Sequence, residues 1–212
     1  MDIPLKNRLR KRSQIELAEL QDEAVDILYT VDPKAVFHGG TAIWRCYNGN
    51  RFSEDLDFYT PAGKNLEEKL SKESAKRGLI LTKFRKTENS IYSRISDTQT
   101  EVSLELTTRT KKCIPVFYKK ADGNTQNVLS LTPEELIIEK AKAFSNRKLI
   151  RDIYDVYFLL NQANIQKVKT KLSEIMRKSI IPVDEKNLKA LLYSGAVPSF
   201  KHMESAIKRA VK

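Results

Sequence analysis

The chain has 212 residues, 41% of them hydrophobic and 31% charged, with no apolar run near the length a membrane-spanning helix needs. This profile excludes a disordered chain and a helical membrane protein, and leaves room for one large core or two small ones. Lys and Arg number 38 against 27 acidic residues, a net charge of +11 and a pI of about 9.5, which favours polyanionic partners, nucleic acid first.

The basic start MDIPLKNRLRKRS lacks the apolar segment of a signal peptide, so a cytoplasmic setting is expected. Cys46, Cys113, His38 and His202 have neither the spacing of a zinc site nor that of a redox pair; reduced, packed thiols are expected. Residues 13–30, SQIELAELQDEAVDILYT, carry an apolar stripe through Ile15, Ala18, Val25 and Leu28 and predict a helix. Ser13 with Glu16 three positions on suggests a capping box. AVFHGGTAI then predicts a short strand over 35–38, a glycine turn, and a helix from Thr41 through Tyr47.

RFSEDLDFY, residues 51–59, follows as a second strand, closed by the turn TPAG. Period two places Ser53, Asp55 and Asp57 on one face, with Leu56 and Phe58 directed to the core. Two like charges on one face repel, a cost that a divalent cation would offset. The helix after HGG offers amides to a phosphate, and Thr41 adds a hydroxyl. A phosphate cradle beside two carboxylates is what a Mg²⁺-bound nucleotide requires.

A helix over 64–78 and strands over 79–85, 90–97 and 100–108 come next. The last, TEVSLELTT, alternates Val102, Leu104 and Leu106 with Glu101, Ser103 and Glu105, so Glu105 or Glu101 can supply a third carboxylate. ADGN at 121–124 is a turn. From Thr132 the texture is helical throughout, opening on TPEEL with Thr132 as cap, Pro133 at the first position and Glu135 closing a capping box. A domain boundary is expected near 128, with an α/β domain over 1–128 and a helical domain over 129–212. In the second part Ile153, Val156, Tyr157 and Leu160 form a packing stripe, and Asp155 within it must be paired if buried, with Lys140, Arg147 and Arg151 in reach.

Together HGGTA, RFSEDLDFY, VSLELTTR and EELIIEKAKAFSNRKLIRDIYDVYFLL resemble the AbiEii nucleotidyltransferase toxins, the toxin half of type IV toxin–antitoxin and abortive-infection systems. The resemblance spans roughly residues 35–160. It implies an α+β fold: a polymerase-beta-like nucleotidyltransferase domain with a small mixed sheet, then a helical bundle that closes the active-site cleft. It implies that Gly39, Gly40 and Thr41 form the phosphate-binding turn and that Arg51 and Ser53 belong to the first motif. By the same resemblance Asp55 and Asp57 bind metal, Glu105 is the acidic strand position, Lys140 faces the nucleotide, and Arg151, Asp152 and Asp155 form the R-D-x-x-D helix. One departure is Ser103, where the family often has lysine; it leaves Glu101 open as the third metal ligand.

The implied activity is Mg²⁺-dependent (or Mn²⁺-dependent) transfer of a nucleotide from an NTP to an acceptor, RNA such as tRNA, held in check by an antitoxin. Two other functions share these residues: transfer to a protein or small molecule, and a non-catalytic module binding nucleic acid or a partner. The charge of +11 favours RNA over a cationic small molecule.

Overall fold

A computed structural model describes residues 3–61, 65–178 and 180–212. The TPAG turn and the first residue of the expected 64–78 helix fall partly outside them. The chain divides into two units: residues up to Asn48 with Phe52–Ser130, and Gly49–Arg51 with Leu131–Lys212.

The first unit is built on alternation. Helix α1 (Arg12–Val31) buries Ala18, Leu20, Ala24, Val25, Ile27 and Leu28. It starts one residue before the expected cap: Lys11 is the N-cap, no side chain caps it, and Glu16 is taken by Arg12 (Nε–Oε1 2.7 Å). Strand β1 (Val36–His38) runs directly into helix α2 (Gly39–Cys46), so the two glycines are the first turn of the helix rather than a linker before it. Then come β2 (Leu56–Thr60), α3 (Leu66–Lys76), β3 (Ile80–Lys86), β4 (Ser90–Ser96), β5 (Glu101–Thr108), β6 (Ile114–Lys119) and β7 (Thr125–Ser130).

The seven strands form one mixed sheet in the order β3-β4-β5-β2-β1-β7-β6. β2 is parallel to β5 and β1 to β7, while the remaining neighbours are antiparallel. β6 and β7 were not expected from the sequence; they make a hairpin around the ADGN turn. Pro115 sits in β6, an edge strand, where a missing ladder donor is tolerated. One face of the sheet is core: Phe37 stacks on Phe58 with centroids 4.5 Å apart, and Leu56, Ile91, Ile95, Val102, Leu104 and Leu106 are buried with them. Each such side chain contributes roughly 1.5–3 kcal/mol on leaving water. The alternate residues of β5 and β4, Glu101, Glu105, Tyr92 and Arg94, are exposed.

The second unit is helical, as expected: α4 (Pro133–Arg147), α5 (Ile150–Leu159), α6 (Lys169–Met176), a single turn α7 (Leu188–Leu191) and α8 (Phe200–Ala210). α4 opens on the capping box, with the Thr132 side chain accepting from Glu135 and the Glu135 side chain accepting from Thr132. It stops at Lys148, which adopts the left-handed conformation with φ 56°. α5 then starts under a second acidic cap, Asp184 Oδ1 accepting from the Ile150 amide at 2.6 Å.

Residues 49–51 are bound into this unit at several points. Tyr193 N–H donates to the Asn50 carbonyl (3.2 Å), Tyr193 Oη to the Gly49 carbonyl (2.6 Å) and Asn50 Nδ2 to the Ser194 carbonyl (2.9 Å). The NGN segment is therefore more than a helix terminator. Among the described residues no helix is long and apolar enough to cross a membrane, and Cys46 and Cys113 are free thiols.

Candidate active site

In the first unit, the end of β1 and the start of β2 are neighbours, His38 standing opposite Asp57. Gly39 has φ +78°, and a Cβ there would collide with the Asp57 carboxylate, whose Cγ would lie 2.9 Å away. Only glycine satisfies both the backbone and the space. No side chain caps α2, so the amides of its first turn keep their N–H groups directed outward with no intrahelical acceptor. An anion meets both those donors and the positive end of the helix dipole there.

The segment leading into β2 is irregular, which corrects the period-two reading of RFSEDLDFY. The strand begins at Leu56, so Ser53 and Asp55 precede it and do not share its alternation. Other groups fix them. Thr41 is fully buried and donates its hydroxyl to the Asp55 carbonyl at 2.5 Å. Gln21, on the buried stripe of α1, donates to the carbonyls of Ser53 (2.9 Å) and Glu54 (2.8 Å). The Thr41 hydroxyl, read as a phosphate ligand, is thus used to hold the Asp55 loop. Gln21 was missed; its signal was an amide falling where the apolar stripe of α1 should continue.

Asp57 lies in register with Glu105 on the parallel strand β5. Neighbouring strands run about 4.8 Å apart, so the two carboxylates face one another on the same side of the sheet. Partial burial of an otherwise exposed side chain, and then the charges of Asp57 and Asp55, push the Glu105 carboxyl above its ordinary 4.5, with His38 pulling in the other direction. His38 stacks on Tyr59 with centroids 3.9 Å apart, and a histidine beside this pair was not anticipated as part of the site. Glu101, the alternative third carboxylate, is four residues along β5. It is occupied by Arg94 (Nη1–Oε1 2.8 Å) and by the Thr82 hydroxyl (2.7 Å).

Among the described residues no group of three or more His, Cys, Asp or Glu side chains is placed to hold a metal ion. The donor chemistry nonetheless fits a hard divalent cation. Mg²⁺ is usually held by one or two carboxylates with waters and substrate phosphates, and Asp57 and Glu105 are two hard, mutually repelling donors beside an anion-binding turn.

The second unit gathers the remaining expected residues into a buried ionic cluster. Arg51 grips Asp155 with two bonds, Nε to Oδ1 at 2.9 Å and Nη2 to Oδ2 at 2.8 Å. Lys140 Nζ lies 3.1 Å from Asp155 and 3.7 Å from Asp152, and Arg147 grips Asp152 with two bonds of 2.6 Å. Burial alone would raise the Asp155 carboxyl; Arg51 and Lys140 outweigh it and hold the group below its ordinary 3.8. Asp155 is thus buried and paired, as its place in the stripe required. Arg151 lies on the same helix with a buried Nε that has no hydrogen-bond partner. Arg51, Lys140, Asp152 and Asp155 therefore serve one another.

Residues 26–194 match the family of the nucleotidyl transferase AbiEii toxin of type IV toxin–antitoxin systems. No curated protein sequence matches the chain. The fold is similar to that of JHP933 from Helicobacter pylori, with TM-score 0.66 at 20% identity, covering 96% of this chain and 90% of that one. It is also similar to that of MenT4, a nucleotidyltransferase toxin from Mycobacterium tuberculosis, with TM-score 0.61 at 17% identity over 95% of this chain and 84% of that one.

Proposed function

The chain belongs to the nucleotidyl transferase AbiEii toxin family, and on that premise we propose that it transfers a nucleotide from an NTP to RNA such as tRNA. The observation that supports this most is the pairing of Asp57 with Glu105 one strand away from the Gly39 turn. In this reading the first-turn amides of α2 take triphosphate oxygens, and Asp57, Glu105 and Asp55 hold Mg²⁺. The bound ion supplies neutralisation of charge on the triphosphate and the departing pyrophosphate. Glu105, whose proton affinity is raised above its ordinary value, accepts the proton from the acceptor hydroxyl. The hydroxyl oxygen forms a bond to the α-phosphorus, the bond from that phosphorus to the bridging oxygen breaks, and pyrophosphate leaves with the electron pair. Gln21 and Thr41 keep the Asp55 loop in place during this exchange.

Membership of a toxin–antitoxin family implies an antitoxin partner, and an RNA acceptor places the reaction in the cytoplasm. The net charge of +11 supports a polyanionic acceptor. Incubation of each α-³²P-labelled NTP with total RNA and Mg²⁺ tests the reading. Wild type labels RNA, while Asp57→Ala and EDTA abolish the label; label on protein instead would reassign the acceptor, and equal label with Asp57→Ala would refute the proposal.

A further inference from the structure

The exposed face of the sheet carries a second feature, on the far side of Asp57 from the glycine turn. A cleft of about 250 Å³ is lined by Lys83, Arg85, Tyr92, Arg94, Ser103 and Glu105. Its residues stand in two ranks across the strands. Arg85, Tyr92, Glu105 and Asp57 are successive register partners on β3, β4, β5 and β2. Lys83, Arg94 and Ser103 are partners in the next rank. Tyr92 is 43% exposed on this face, leaving its side chain open to solvent beside the cations. Arg94 is engaged by Glu101, whereas neither Lys83 nor Arg85 has an ion-pair partner among the described residues.

We propose that this cleft binds the 3′-terminal nucleotides of a single-stranded RNA, a base stacking on Tyr92 and phosphates meeting Lys83 and Arg85, so that the terminal hydroxyl is delivered to Glu105. The proposal rests on the reaction above and supplies its acceptor subsite. An aromatic platform flanked by cations is the chemistry by which single strands are held irrespective of sequence. The lining has no aliphatic side chain and carries three cations, Lys83, Arg85 and Arg94, which favours a polyanion over an apolar peptide. The triphosphate is not the occupant either. Its turn belongs to β1, and β1 and β5 lie on opposite sides of β2. The last lining residue before Asp57 is Glu105, one strand spacing from Tyr92, about 4.8 Å.

The test is a fluorescence anisotropy titration of a 5′-fluorescein oligoribonucleotide with a free 3′ end, in EDTA and without NTP, so that no chemistry intervenes. Tyr92→Ala weakens binding about tenfold and Tyr92→Phe restores it, as expected for stacking. Lys83→Gln with Arg85→Gln weakens binding and flattens the dependence of log K on log salt by about 1.4, two phosphates at about 0.7 each. None of these variants changes affinity for a fluorescent NTP analogue measured with Mg²⁺. RNA affinity unchanged in all variants overturns the proposal. So does a loss confined to the NTP analogue, or displacement of the RNA by polyglutamate at equal charge, which would point to an acidic protein. The two readings fail separately. RNA held through Tyr92 by a protein that transfers nothing sinks the reaction and keeps the cleft; full RNA labelling by the cleft variants does the reverse.

Discussion

Asp57 and Glu105 are directly opposed on parallel strands, and the charge of Asp57 adds to burial in raising the proton affinity of Glu105. Glu105 is held above its ordinary 4.5 by burial first and by Asp57 and Asp55 next. A carboxyl that binds its proton more tightly in the folded state removes stability as pH rises from the unfolded value through the folded one. Asp57→Asn should therefore lower the Glu105 midpoint and flatten that decline. Carboxyl ¹³C NMR titration reads it directly. Mg²⁺ should lower the same midpoint in wild type and do so far less in Asp57→Asn.

Two glycines with positive φ separate strain from collision. Gly78, at φ +71°, has nothing within 4 Å of a built Cβ, whereas at Gly39 the Cβ meets the Asp57 carboxylate. Gly78→Ala should cost only the backbone term, about 1–2 kcal/mol, and leave nucleotidyl transfer intact. Gly39→Ala adds displacement of Asp57 and should lower transfer about a hundredfold, the usual effect of misplacing a reacting group by an ångström. Urea unfolding and RNA labelling on both variants test this. Equal activities would show that Asp57 does not need its present position.

What was legible in the sequence was what is local. TPEEL announced its capping box because both bonds close within four residues, and TEVSLELTT announced β5 because alternation survives wherever one face is buried. The family motifs carried the glycine turn and the two aspartates. The hairpin β6–β7 was illegible: IPVFYK holds a proline, TQNVLS is mostly polar, and β7 becomes a strand by pairing with the distant β1 while β6, at the sheet edge, pairs with β7. Ser53 and Asp55 read as strand because the pattern of alternation continues past the point where pairing stops; their actual holders, Gln21 and Thr41, are 32 and 14 positions away from their partners. SQIE looked like a cap, yet the helix starts earlier and its glutamate bonds Arg12. Side-chain hydrogen bonds between distant segments leave no periodic trace.

Asp155 carries two cations, Arg51 and Lys140, in a site that is 2% exposed. Asp155→Ala would leave buried Arg51 without its anion and Lys140 with only the longer contact to Asp152, and should cost about 3–5 kcal/mol. The substitution Arg51→Met with Asp155→Leu removes the pair together and should recover much of that loss, because the two ions no longer have to be desolvated. Since the folded carboxyl lies below 3.8, its contribution is complete above that value and is lost as pH falls through the folded one. Wild type should accordingly lose stability in acid and Asp155→Ala should lose less. Urea titrations of the variants near neutral pH and in acid would decide it; an acid response identical in wild type and Asp155→Ala would refute the assignment.

The last prediction concerns what holds α2, and with it the glycine turn. Arg45 is fully buried on α2, donating to the Ala18 carbonyl (2.8 Å), to Tyr118 Oη (3.1 Å) and to the Asp22 carboxylate. Asp22 accepts two further bonds, from Tyr118 Oη (2.8 Å) and the Ala121 amide (2.7 Å). Tyr118→Phe removes one donor and leaves Arg45 Nε unpaired, a loss of about 1–3 kcal/mol. Arg45→Met strands Asp22 as a buried anion and should cost more, about 3–5 kcal/mol. That order depends on Asp22 being ionised. Burial pushes its carboxyl above the ordinary 3.8 while Arg45 pulls it down, so the penalty of Arg45→Met should shrink on acidification as Asp22 takes up a proton. Unfolding free energies of both variants across a pH series measure this, and the reverse order at neutral pH would mean that Asp22 is already protonated in the folded protein.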